Sequence, residues 1–182
     1  MRVGLGVAVA CAVVLLSACS DDGDSAPETT FSLGPTECAV VDDPVLMVDE
    51  IDAAVAAVEA ELGGEQVYFE INATPLLVNL FVADPVAKTV TPYVYVGGEL
   101  SAEEALPVES GSAFPASALA FDPQRVLSCI TDQLPDSGLD VFFVEANADG
   151  AVRYTVLTTN AQGGQLTIEV TGAGLVLAVD AI

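Results

Sequence analysis

The sequence predicts an α+β domain in which two helices lie on one face of an antiparallel sheet. Two amphipathic helical stretches are each followed by a run of strands rich in β-branched and aromatic residues. Helices that precede β-meanders are typical of α+β folds rather than of parallel α/β sheets. The predicted order is a tandem repeat, α-βββ followed by α-ββββ, and internal duplication would explain why the two halves look alike.

The first helix is predicted to begin at Asp43-Pro44 and to end at Gly63-Gly64. Aspartate accepts hydrogen bonds from the free amides of a helix start, and proline suits the first helical position. Apolar residues between these signals recur at three- and four-residue steps. They are Val45, Val48, Ile51, Val55, Val58 and Leu62. The second helix carries the same start signal, Asp122-Pro123, and is predicted to end before Pro135.

Three predicted strands follow each helix, and the two sets correspond. The corresponding segments are 67–72 and 141–147, 76–83 and 151–159, and 90–96 and 166–171. A last strand, 175–181, follows the turn at Gly172-Ala173-Gly174. Between the halves lies a connector, residues 101–120, which we interpret either as a linker that crosses the fold or as a functional flap.

The two halves differ in how their strand faces divide. In the second half one face is apolar and the other polar, as in a sheet with one solvated face. The apolar set is Val152, Tyr154, Val156, Leu166, Ile168, Val170, Leu175, Leu177 and Val179. In the first half both faces are apolar. The face expected to be solvated carries Tyr68, Leu77, Phe81, Tyr93 and Tyr95.

This second apolar face requires a cover. The other half of the chain or the connector would cover it within the monomer, and a second copy or an external partner would cover it from outside. Tyrosine combines an apolar ring with a polar tip and is enriched at interfaces. Our functional hypothesis is therefore that these five residues form a platform that binds another protein.

The amino-terminal segment has the composition of an export signal. Arg2 precedes an uncharged stretch from Val3 to Leu16, which is shorter than the roughly 18 to 20 apolar residues of a spanning helix. No transmembrane helix is therefore predicted in the mature chain. An ordinary signal peptide, cleaved at a nearby small residue, would leave Cys19 as an unmodified thiol.

The sequence Leu16-Ser17-Ala18-Cys19 resembles the lipobox of bacterial lipoproteins. The resemblance implies cleavage before Cys19, lipidation of that cysteine and anchoring at the extracytoplasmic face of the cell membrane. Residues 1–18 are then a signal peptide. Residues 19–37 are interpreted as a disordered tether, because their polar stretch cannot bury enough surface to become ordered.

Cys38 and Cys129 remain as a pair once Cys11 leaves with the signal and Cys19 carries lipid. In an oxidising compartment a disulfide between them is expected. It would join the start of the first helix to the second helix. The alternative, two separate redox thiols, lacks a neighbouring cation or a CxxC spacing that would lower a thiol pKa.

Charge and composition exclude several functions. The sequence contains 27 Asp and Glu residues against 4 Lys and Arg, a net charge of −23. Binding to nucleic acids or to anionic lipid headgroups needs clustered cations, so neither is a predicted partner. Cationic proteins, divalent metals and uncharged ligands are compatible with this charge, which also keeps an aliphatic chain soluble. Histidine is absent, which excludes Ser-His-Asp and Cys-His relays and His-ligated metal centres.

Two acidic motifs have simpler explanations than metal binding or catalysis. The segment 145–150 begins like a calcium loop, but the twelfth position is Val156, where a bidentate glutamate is required. Asp149-Gly150 instead favours a hairpin turn. Adjacent acids such as Glu103-Glu104 occur by chance in so acidic a chain. No catalytic residue, metal or cofactor is therefore predicted.

The order of helices and meanders over residues 43–182 is similar to that of PepSY-type domains and of tandem folds of the β-lactamase-inhibitor-protein kind. This resemblance in topology implies an extracytoplasmic regulatory or inhibitory binder. The sequence thus predicts a lipid-anchored, non-enzymatic protein whose halves, 38–100 and 121–182, engage a protein partner. A carrier of lipid or another hydrophobic cargo is the alternative, and a hydrolase that uses carboxylates alone ranks last.

Overall fold

The computed structural model describes Cys38 and residues 45–182. The first helix opens with a 3₁₀ turn, Val48–Glu50, and continues as α1, Ile51–Leu62. It ends at Gly63 as predicted, where a φ of 81° places the residue in the left-handed region that glycine adopts without strain. The predicted Asp43-Pro44 start lies outside the described residues, as do the signal peptide, Cys19 and the tether.

The second helix, α2, spans Pro123–Gln133, as the sequence predicts. The Asp122 side chain caps it by accepting a hydrogen bond from the Arg125 backbone N–H at 3.0 Å. Pro123 occupies the first turn, where its missing N–H costs no hydrogen bond. The buried side of α2 includes Val126 and Ile130.

Ten antiparallel strands form one continuous sheet. Their bounds are β1 Val67–Ala73, β2 Val78–Asp84, β3 Thr89–Val96, β4 Glu99–Ala102, β5 Leu106–Pro107, β6 Phe114–Pro115, β7 Ser137–Ala146, β8 Val152–Asn160, β9 Gln165–Val170 and β10 Val176–Ala181. The main path runs β10-β9-β8-β7-β1-β2-β3-β4, while β5 pairs with β3 and β6 pairs with β1. Two helices with a large antiparallel sheet confirm the α+β prediction.

The two meanders meet at their first strands. Glu70–Ala73 of β1 pairs antiparallel with Phe142–Glu145 of β7, and each meander extends outward from this seam. The two strands are the segments that correspond between the halves in the sequence. The topology is therefore that of two similar units placed back to back in one sheet.

Both helices pack on the same face of the sheet, which we call the inner face. Their buried residues join those of the strands in one hydrophobic cluster. Members with no exposed surface include Ile51, Ile71, Leu80, Ile130, Phe142 and Ile168. Burying side chains of this size stabilises the fold by roughly 1.5 to 3 kcal/mol each relative to leaving them exposed.

Aromatic contacts join the chain leading into α2 to the second meander. The Phe121 ring lies 5.4 Å from the rings of both Phe142 and Tyr154, measured between centroids. The Tyr154 hydroxyl oxygen accepts a hydrogen bond from the Ala120 backbone N–H at 2.9 Å. Burial raises the pKa of Tyr154 above its usual value, and the hydrogen bond from Ala120 opposes that rise.

The connector contributes short strands to the sheet. Its first strand continues the sheet beyond β3, and β5 then pairs with the other end of β3. β6 pairs with the start of β1, where Phe114 is completely buried. The connector thus crosses from the edge of the first meander to the seam, and it contributes a core residue there.

Candidate functional site

The sheet has a second face, opposite the helices, which we call the outer face. At its centre β1 and β7 place Glu70 beside Glu145, with Phe81 of β2 on the other side of Glu70. One pleat further along, Asn72 lies between Asn79 and Phe143. The side chains at this seam are mostly half-buried. The outer face therefore combines acidic and amide groups with flanking aromatic rings.

Three polar side chains form a hydrogen-bonded row across the first meander. The Asn79 Nδ2 donates to the Asn72 Oδ1 at 2.8 Å, and the Asn72 Nδ2 donates to the Glu70 Oε1 at 2.6 Å. Asn72 is 8% exposed, so its amide is held between its two partners rather than by solvent. The row fixes the Glu70 carboxylate in one orientation.

Glu70 is a desolvated carboxylate with a like charge beside it. Burial is the main cause that raises the pKa of Glu70, Asn72 opposes the rise, and Glu145 adds to it. Glu145 pairs with Arg153 at 2.8 Å across β7 and β8. Within the part of the chain that the structure describes, Glu70 has no such cationic partner.

The structure corrects the predicted binding platform. Tyr68, Tyr93 and Tyr95 lie on the inner face, at 0%, 6% and 9% exposure, so the expectation that they form a solvated aromatic face is wrong. Phe81 and Leu77 remain half-exposed, Phe81 on the outer face and Leu77 in the turn before β2.

A bulge in β1 and the pairing of β3 with β2 explain why the tyrosines are buried. A β-bulge between Tyr68 and Glu70 shifts the register of β1 and reverses the alternation for Tyr68. In β3 both alternations are apolar, so the period of two does not decide which is buried. Pairing decides it, because Tyr93 lies opposite Leu80 and both side chains face the helices.

Sequence reasoning also missed outer-face residues of the second meander. The half-exposed residues there are Val141, Phe143 and Leu157. Phe142 and Val144, which alternate with them along β7, are buried on the inner face. The signal was the uninterrupted apolar run at 141–144, which gives β7 two apolar faces. The outer face is therefore apolar on both sides of the polar seam.

The connector covers one end of the outer face. Gly111 lies so close to the Phe69 ring that a Cβ atom at this glycine would overlap it. A surface pocket of about 210 Å³ remains beside this contact, between the connector and the β2–β3 turn, and Lys88 and Glu109 are among its lining residues. The connector therefore packs against Phe69, whereas the residues at the junction of β1 and β7 are not among those that line this pocket.

The predicted disulfide is present. Cys38 and Cys129 are bonded, with their Cα atoms 4.9 Å apart and 91 positions apart in sequence. Cys129 is buried in α2, where it also faces the β9–β10 turn: a Cβ atom on Gly174 would lie 3.0 Å from the Cys129 Cβ. The bridge therefore pins the chain that precedes α1 to the helix side of the second meander.

Two further features that bear on function were sought in the part of the chain that the structure describes: a cluster of metal-binding side chains and a membrane-spanning helix. No group of three or more Cys, Asp or Glu side chains in residues 45–182 and Cys38 is placed to hold a metal ion. None of the helices in this part of the chain is long and apolar enough to cross a membrane. Asp149-Gly150 forms the predicted hairpin turn, in which Gly150 has a φ of 86°.

Comparison with solved structures finds a protein of similar fold. A crystal structure of a "putative lipoprotein" from Clostridium difficile 630 superimposes with a TM-score of 0.55 at 11% identity, covering 81% of this chain and 100% of that one. At this identity the similarity is one of fold. No family model and no curated protein sequence matches the chain. These comparisons do not show the expected similarity to PepSY-type domains or to inhibitor proteins, which stays a prediction.

Proposed function

We propose that this chain is a lipid-anchored, non-enzymatic protein of the extracytoplasmic side that binds a protein partner through the outer face of its sheet. The observation that carries the proposal is Glu70, a fixed and desolvated carboxylate that lies between Phe81 and Glu145, with Phe143 diagonal to it. A desolvated charge without a counter-ion lowers stability. A Lys or Arg side chain from a partner would supply the missing charge.

The surroundings of Glu70 have the composition of a protein interface. Phe81 and Phe143 offer aromatic surface on opposite sides of the polar row, and such residues dominate binding energies at interfaces. The partner segment is expected to present a cation toward Glu70 and apolar groups toward both rings. The overall charge of −23 favours a basic partner through long-range attraction.

The proposal of anchoring rests on the lipobox-like sequence at Cys19. It is supported by the similar fold of the Clostridium difficile protein, which is described as a lipoprotein. Cells that produce the full-length chain are fed an alkynyl fatty acid, and the labelled protein is detected in membrane fractions. Label is expected on the parent and absent from Cys19→Ser. Equal labelling of both proteins, or recovery of the parent without label in the cytosol, would show that the anchoring proposal is wrong.

Partner binding is tested by site-specific photo-crosslinking of the full-length chain in its native membrane. A photoreactive amino acid replaces Phe143 or Leu157 on the outer face, and Glu61 or Gln124 on exposed helix surface in matched controls. A discrete adduct is expected from the outer-face positions alone. Introducing Glu70→Gln into the same protein should lower the yield of the adduct about tenfold. The variant loses the charge pair between Glu70 and the partner but keeps the shape of the side chain. Equal adducts from both surfaces, or no effect of Glu70→Gln, would refute the proposal.

A further inference from the structure

The last strand, β10, is an edge of the sheet. It pairs with β9 on one side, and in the described part of the chain no strand lies on its other side. The Ile182 backbone N–H donates toward Gln165 of β9. Backbone groups of successive strand residues point to opposite sides, so Val179 and Ala181 direct their N–H and C=O groups away from the sheet.

The same strand exposes large apolar side chains. The sequence pattern places Leu175, Leu177 and Val179 with the core, yet they are 37%, 57% and 48% exposed. A register shift between Val176 and Ala178 removes Leu177 from the regular alternation. Val179 lies opposite the buried Ile168, but no further strand among residues 45–182 covers its other side. The apolar inner face of the sheet thus extends to β10, where its side chains are partly exposed to solvent.

The opposite edge of the sheet shows what a protected edge looks like. β4 contains Glu99, and the residues that follow it include Glu103-Glu104 and Pro107. Charged residues and proline are the devices that prevent an edge strand from pairing with another chain. β10 contains no Lys and no Pro, and its one charged residue is Asp180. It is therefore an open template for a further strand.

We propose that β10 binds an extended, basic segment of another protein by β-strand addition. The charge at this edge selects a cationic strand, because residues 154–182 include Glu169 and Asp180 but no Lys or Arg. Both acids lie on the outer face of the last two strands. The added strand would place Lys or Arg on that face and apolar side chains next to Val179.

A second copy of this chain fits the edge less well. Two β10 strands would bring their acidic residues together without any cation on either strand, and each chain carries a charge of −23. Like charges across a strand pair destabilise it. The site is also separate from Glu70 and its aromatic neighbours, so binding here does not depend on the outer-face seam.

The test uses full-length protein in detergent and a synthetic nonapeptide that alternates lysine and valine, with binding measured by isothermal titration. One analogue is N-methylated at alternate amides, so that it keeps the charge but loses the hydrogen bonds of one edge. A second replaces lysine by glutamate. We expect both analogues to bind at least tenfold more weakly. Equal binding of the N-methylated peptide would refute strand addition and leave only non-specific attraction.

Variants of the protein provide an independent readout. Val179→Pro removes an outward N–H that the sheet does not use, a substitution that edge strands tolerate. It should weaken the lysine–valine peptide about tenfold, whereas Val86→Ala, at an exposed residue in the turn between β2 and β3, should leave binding unchanged. Unchanged binding by a folded Val179→Pro variant would overturn the proposal. So would concentration-dependent dimers of the parent that Val179→Pro abolishes, since they would assign the edge to a second copy.

Discussion

Breaking the bond between Cys38 and Cys129 tests how much the tandem sheet depends on its link to the segment before α1. The bridge closes a loop of 91 positions. In the chain-entropy model, opening a loop of that length stabilises the unfolded state by about 4 to 5 kcal/mol at 25 °C. Cys129 is buried, so truncating its side chain to alanine removes the sulfur and costs additional packing, whereas reduction leaves both side chains in place.

The assay is urea unfolding of the oxidised parent, the reduced parent and Cys38→Ala/Cys129→Ala. With an m-value of about 2 kcal/mol per M, the midpoint should fall by roughly 2 M on reduction. Either single alanine variant, kept reduced, should lose nearly as much as the double variant, because each breaks the same bridge. A shift below about 0.5 M, or losses that add between the single variants, would refute the loop-closure reasoning.

Three further predictions concern single side chains. Burial raises the pKa of Glu70 above its ordinary 4.5, so the folded state holds a proton that the unfolded chain releases, and its stability falls as the pH rises above 4.5. Glu70→Gln should therefore have the same melting temperature as the parent below that pH and a higher one near neutrality. Equal melting temperatures of variant and parent at both pH values would contradict this prediction. Gly174→Ala should cost about 2 kcal/mol or more, because φ is +82° and its Cβ would lie 2.8 Å from a carbonyl oxygen of α2. Gly163→Ala, with a φ of +83° and free space around it, is the control and should lose less in the same urea titration. Tyr154→Phe should cost about 1 kcal/mol by leaving the Ala120 N–H without its acceptor, and an unchanged urea midpoint would show that water replaces the hydroxyl.

Local signals were sufficient for the ends of the helices. Gly63 ends α1 because glycine adopts the left-handed conformation that closes a helix, and Asp122-Pro123 starts α2 because both residues suit free amides. These effects act within a few residues, so the sequence contains all the information needed. The hairpin at Asp149-Gly150 was predictable for the same reason.

The order of the strands and the buried face of β3 depend on pairing between distant segments, which the sequence pattern could not predict. The junction of β1 with β7 depends on pairing between residues 69 to 75 positions apart, and alternation within a strand carries no information about its neighbours. In β3 the tyrosines and valines are both apolar, so only the pairing of Tyr93 with Leu80 reveals the buried face. The short connector strand containing Phe114 likewise forms only because β1 is available to pair with it.

The seam between β1 and β7 contains a like-charge contact that lowers the stability of the fold. Glu70 and Glu145 lie directly opposite each other across β1 and β7, and like charges so placed cost roughly 0.2 to 1 kcal/mol. Arg153 compensates only Glu145. A partner cation at Glu70 would remove the remaining penalty in the bound state alone, so binding and seam stability become linked. A partner that binds here should therefore raise the melting temperature of the parent, and it should raise that of Glu70→Gln by less, because that variant has no unpaired charge to neutralise.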